Sequence, residues 1–137
     1  MKEKSDLFSY PVTIKEFHLD TFGHVNNAKY LELYEEARWE LITVNGYGLK
    51  TCIEKQIGPI ILSVELQFKK EMRNREKVVI HSYAYDYVGK ISKIKQVIVK
   101  ENGEEASSAV FTFGLFDMKA RKLILPTPEW LKAIGLA

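Results

Sequence analysis

Between His18 and Asn27 the sequence gathers a carboxylate (Asp20), two imidazoles (His18 and His24) and two side-chain amides (Asn26 and Asn27). An amphipathic stretch with helical periodicity begins directly after them. The first backbone N–H groups of a helix point outward and carry about half a positive charge between them. They can polarise a carbonyl and hold the oxyanion that forms when it is attacked. A carboxylate fixed in the preceding loop can act as nucleophile or as general base on water. Donors and a base converging on one carbonyl suit acyl transfer. The residue types alone leave plainer roles open, with Asp20 or an Asn as a helix cap and His24 as a hydrogen-bonding loop residue. One cysteine, Cys52, and three scattered histidines give no zinc-ligand spacing, so neither a metal nor an organic cofactor is expected.

The elements that must position this loop follow from periodicity. Tyr10 to Phe17 alternates loosely and is expected to be a first strand. From Ala28 to Val44, apolar residues at Tyr30, Leu33, Tyr34, Ala37, Leu41 and Val44 trace one helix face. Asn27 suits its N-cap, and Asn45 with Gly46 its end. The period then becomes two. Leu62, Val64, Leu66 and Phe68 alternate with polar residues, and further strands are expected at Lys77–Tyr87, Ile91–Lys100 and Ala106–Phe116. Asn102 and Gly103 mark a hairpin. Thr127 and Pro128 open a short final helix. Strands joined by short turns are antiparallel neighbours. The expectation is one α+β domain over residues 1–137, an antiparallel sheet of about five strands wrapped around one long helix.

Bulk properties agree. A chain of 137 residues with 46% hydrophobic and 28% charged residues is an ordinary globular domain. A formal net charge of +2 argues against a nucleic-acid binder. A single cysteine implies a reducing compartment, and no stretch has the length and apolarity of a membrane span. The expected location is the cytoplasm.

The run from Asp20 through Gly23, His24, Asn26, Asn27, Tyr30, Glu35, Glu36, Ala37, Arg38 and Trp39 resembles the 4-hydroxybenzoyl-CoA thioesterase family of hotdog proteins. The likeness is strongest to the long-chain acyl-CoA branch, with its HVNN and EEARW segments. It implies a hotdog fold and hydrolysis of a medium- or long-chain acyl-CoA to free acid and CoA. Asp20 matches the family's catalytic aspartate and His24 the histidine beside the thioester. Asn26, Asn27 and Ala28 fall where helix-start amides meet the thioester carbonyl. Two positions depart from related patterns. Phe22 stands where plant acyl carrier protein thioesterases have asparagine, and His18 where a second bacterial aspartate lies, leaving Asp20 the lone loop carboxylate.

The turn carrying Lys69, Lys70, Arg73 and Arg75 is read either as a solvated surface or as a cradle for coenzyme A phosphates. A homodimer or homotetramer is expected, because one curved sheet with one covering helix leaves an edge and apolar surface open. Two other functions keep the same fold: a non-catalytic acyl-CoA sensor and an acyl carrier protein thioesterase.

Overall fold

The computed structural model describes all residues 1–137. The long helix is present as α1, Asn27–Val44. Its buried face is Tyr30, Leu33, Tyr34, Ala37, Leu41 and Ile42. Ile42 takes the place expected for Val44, which is 59% exposed, because a period of 3.6 carries the stripe slowly around the helix. Asn27 is not the N-cap. Asn26 is extended, at φ −64° and ψ 142°, and its Oδ1 accepts the Ala28 N–H at 2.9 Å. Asn27 is therefore the first helical residue.

Six strands form one antiparallel sheet: β1 (Phe8–Thr13), β2 (Ile57–Phe68), β3 (Lys77–Val88), β4 (Ile91–Lys100), β5 (Glu105–Asp117) and β6 (Lys122–Ile124). The spatial order is β1-β3-β4-β5-β2, and β6 pairs with the end of β5 beyond the start of β4. This is the expected hotdog arrangement with one strand more than anticipated. The short β6, and the helix α2 (Leu49–Lys55), are too brief to show periodicity. The first strand ends earlier than expected, at Thr13. The chain then makes a 3-10 turn over Glu16–His18, with Ile14 buried and Phe17 67% exposed. The final helix, α3 (Pro128–Ala133), starts as expected, with Thr127 Oγ1 accepting the Trp130 N–H.

Alternation puts Val78, Ile80 and Ala84 of β3, Ile94 and Ile98 of β4, and Ala109, Phe111 and Phe113 of β5 in the core under α1. A polar line crosses this apolar face. Gln96, wholly buried, donates through Nε2 to the Tyr34 carbonyl at 3.1 Å and to Ser82 Oγ at 3.0 Å. The Tyr34 hydroxyl donates to Ser107 Oγ at 2.7 Å, which donates to the Gln67 carbonyl. These bonds fix the helix along its length through a network that reaches β2, β3, β4 and β5, where apolar packing alone would leave it free to slide. The tyrosines of β3 divide. Tyr83 and Tyr85 share the outer face with ring centroids 5.6 Å apart. Asp86, at φ +53°, sits where the pairing with β4 shifts register, and Tyr87 turns inward and is buried.

Gly114 lies where β4 begins and β6 abuts β5. A Cβ there would stand 2.6 Å from the Lys90 carbonyl oxygen and 2.8 Å from Leu123 Cδ2. The backbone cannot yield as a side chain can. We predict that Gly114→Ala costs about 2 kcal/mol and lowers Tm by roughly 5 °C. Scanning calorimetry on the variant and the natural sequence measures it, and an unchanged Tm contradicts the packing described for this junction.

Candidate active site

The loop ahead of α1 is closed by its own aspartate. Asp20 Oδ1 accepts the N–H of Phe22 at 2.8 Å and of His24 at 3.3 Å, while its N–H donates to the His24 carbonyl. Gly23 makes the tight return at φ +81°, with its N–H on the Asp20 carbonyl. These bonds hold the carboxylate in place through one oxygen and leave Oδ2 for another partner. Asp20 is half-buried, whereas Thr21, Phe22 and Gly23 are exposed. Asp20 therefore closes the loop and does not cap α1, a place that Asn26 takes.

The base of the loop is tied to the sheet. Asn26 N–H donates to the His18 carbonyl, and Val25 N–H donates to the Met72 carbonyl. His24 pairs across with Arg73 as an isolated bridge. The β2–β3 connection therefore packs directly on the loop and brings Glu71 to His24, with Nε2 and Oε2 2.5 Å apart. A carboxylate on Nε2 favours the tautomer protonated there and leaves the Nδ1 lone pair available. Sequence reading missed Glu71, which lies in the charged turn far along the chain from His24. Only the contact identifies it.

The three expected oxyanion donors are not equivalent. The Asn26 N–H is committed to His18, and the Ala28 N–H to Asn26 Oδ1. Asn27 N–H has no acceptor in the protein. This corrects the expected set, since a capped helix start uses up its second and third amides and leaves the first. Asn27 is the free donor.

Each cation of the basic turn has an acidic partner. Lys69 meets Glu105 at 2.7 Å, Lys70 meets Glu104 at 3.4 Å, Arg73 meets Glu71 at 3.2 Å and Arg75 meets Glu16 at 2.5 Å. The Arg75 guanidinium holds Glu16 below the usual carboxylate range. All four pairs are solvent-exposed, and such pairs contribute only about 0–1 kcal/mol each. Their charge is balanced in the free protein, and their partners are exchangeable.

The model of the thioesterase-like superfamily matches residues 12–134, nearly the whole chain. The chain belongs to that family. It is also similar to the long-chain acyl-CoA thioesterase FadM of Escherichia coli, 29% identical over 82% of this chain and 86% of that one. Among solved structures it is similar to the probable thioesterase YbaW from Escherichia coli, 26% identical with a TM-score of 0.81, covering 93% and 96% of the two chains. A hypothetical protein from Staphylococcus aureus, solved in complex with CoA, has a TM-score of 0.87 at 18% identity over 95% of this chain and 82% of its own. The last likeness is one of fold. The expected enzyme class, a thioester hydrolase, accords with the family, and no helix is long and apolar enough to cross a membrane.

His18 supports the loop from beneath. It is 7% exposed, its Nδ1 accepts the Lys15 N–H at 2.9 Å, and burial pushes its pKa below the ordinary 6.5. Lys29 and Lys15 push in the same direction, and Glu36 and Glu32 oppose it. The unfolded chain therefore binds a proton here that the folded chain resists. Stability from this group is intact above the ordinary 6.5 and is lost as pH falls from there toward the lowered folded value. We predict that the natural protein loses more stability between neutral pH and pH ~5 than His18→Asn, whose amide can still accept from Lys15. Urea unfolding at both pH values measures the difference, and equal losses would assign the acid sensitivity to other groups.

Proposed function

We propose that this protein hydrolyses a medium- or long-chain fatty acyl-CoA to the free acid and CoA. The observation that carries the reading is the Asp20 carboxylate, anchored by two backbone amides with one oxygen spare, on the same loop that delivers the free Asn27 N–H. The Asn27 amide would take the carbonyl oxygen as it gains charge. Asp20 would either attack the carbonyl carbon itself, giving a mixed anhydride that water then cleaves to free acid and regenerated carboxylate, or remove a proton from the water that attacks. In either case the C–S bond breaks and CoA leaves as thiolate, to be protonated by solvent. The basic turn supports CoA as the carrier: Lys69, Lys70, Arg73 and Arg75 flank the strand connection that packs on the loop, and exposed ion pairs can be exchanged for phosphate contacts.

The short His24–Glu71 contact favours one second reading. A histidine held by a carboxylate is a competent general base through its other ring nitrogen, and water could be activated there with Asp20 confined to shaping the loop. Variants separate the two. We expect Asp20→Asn to fold normally and to lose at least about 100-fold in kcat, with Glu71→Gln losing much less. A well-folded Asp20→Asn with near-normal kcat, alongside a crippled Glu71→Gln, would move the base to His24. Acyl-CoA binding without any turnover by the natural protein would leave the sensor function instead.

We further propose that the active protein is at least a dimer, joined through β2. That strand pairs only with β5, so its other edge is free. It also exposes Ile61 at 39%, Leu62 at 44%, Val64 at 40% and Phe68 at 52%. An apolar free edge is a template for pairing, and a second copy satisfies it with two-fold symmetry. Light scattering at micromolar concentration should give a dimer or larger species, and Leu62→Lys with Val64→Lys should shift it to monomer. A monomeric natural protein contradicts this.

A further inference from the structure

Beneath α1, on the side of β2, lies a cavity of about 110 Å³. A cavity of roughly 150 Å³ holds a benzene ring, so this one has room for a short section of an acyl chain. Leu41 and Ile42 of α1, Pro59 of β2, Phe113 and Trp130 line it with apolar surface, and Glu35 and Ile61 stand at its exposed rim. Into the same cavity comes Arg38, about three turns into the helix. From Asn27 to Arg38 is eleven residues of helix, or about 16 Å at 1.5 Å per residue. The cavity is thus distant from the thioester and within reach of a long acyl group.

Arg38 is out of place in a lining built for hydrocarbon. Its guanidinium lies over the Phe111 ring, 4.1 Å from the centroid, and makes one hydrogen bond, from Nη1 to Gln96 Oε1 at 2.9 Å. Gln96 is itself saturated by Tyr34 and Ser82 and so cannot follow a moving arginine. No carboxylate bonds to Arg38. Glu35, the nearby acid, acts on it only through space, and burial brings its pKa down to about 10. Arg38 is half-buried, has no acid partner and keeps N–H donors beyond the one given to Gln96, and packing alone would be served at least as well by methionine. A guanidinium with spare donors in an apolar lining calls for an acceptor that the protein does not supply.

We propose that the acyl group taken by this enzyme carries an accepting oxygen, as hydroxyl, oxo or carboxyl, on the part of the chain that enters this cavity, and that Arg38 selects for it. The proposal rests on the acyl-CoA thioesterase reading and narrows its substrate class. The test compares acyl-CoAs of one chain length: unsubstituted, hydroxylated or oxidised to a ketone near the far end, and carboxylated at the end. The natural protein should prefer at least one oxygenated substrate by about tenfold or more in kcat/KM, about 1.4 kcal/mol. In Arg38→Met that ratio should fall toward one. A natural protein that hydrolyses the unsubstituted chain as well as or better than every oxygenated one overturns the proposal while leaving the hydrolase intact. So does an Arg38→Met variant that keeps the preference.

Binding provides a readout that needs no turnover and no variant. The free hydroxy, oxo and dicarboxylic acids should raise the natural protein's Tm more than the plain fatty acid of equal length. If they do, and no thioester is cleaved, the cavity's preference stands and the hydrolase reading fails. If no oxygenated acid exceeds the plain one, the selectivity is refuted whatever the enzyme hydrolyses.

Discussion

Everything chemical in this protein depends on how α1 is pinned to the sheet. The helix buries a stripe from Tyr30 to Ile42, and greasy contact of that kind tolerates sliding. The hydrogen bonds from Gln96 and through Tyr34 do not, because each has one partner at one height on the helix. With the helix axis fixed, its first free amide has a fixed position, and so does the loop closed by Asp20. The same constraint sets Arg38 over Phe111 at the far end. One polar line thus registers both the loop at the start of α1 and the arginine eleven residues along it.

The loop shows how a single carboxylate can organise the backbone around it and still keep one oxygen free. Asp20 uses one oxygen to organise Phe22 and His24. A carboxylate that accepts backbone bonds keeps its orientation without a dedicated partner residue. His18 beneath and Glu71 beside complete the setting, and they come from opposite sides of the loop: one from the turn after β1, the other from the connection after β2. The ordered loop is therefore a product of tertiary contact, although its chemistry is concentrated in ten consecutive residues.

The parts that sequence made legible are those governed by local period and local spacing. The α1 stripe, the alternation of β3, β4 and β5, the Asn102–Gly103 turn and the Thr127 cap all depend on residues close in sequence. Asp20 and His24 were legible for the same reason, and the likeness to a thioesterase family rested on that same segment. What escaped was set by distance along the chain. Glu71 meets His24 only because β2 returns beside the loop. The commitment of the Asn26 amide depends on the His18 carbonyl, and the move of the cap from Asn27 to Asn26 on one dihedral angle. Gln96 read as an ordinary strand residue, since nothing near it in sequence indicates Tyr34 or Arg38. The basic turn was legible as a charge cluster, but its neutralising acids come from Glu16, Glu104 and Glu105 as well as from the turn itself.

The edge position of β2 has a kinetic side. Its partner β5 is the last long strand of the chain, with Ile57 opposite Asp117 and Phe68 opposite Ser107. While the chain is being made, β2 emerges before the strand that will pair with it, and β3 and β4 form their own hairpin in the meantime. Contacts between segments so far apart in sequence close slowly. During that interval an apolar strand stands open on both edges, the condition under which partly folded chains associate wrongly. The surface that suits β2 to meeting a second copy is thus also the segment most vulnerable during folding, and the time it spends unpaired is governed by how quickly β5 arrives.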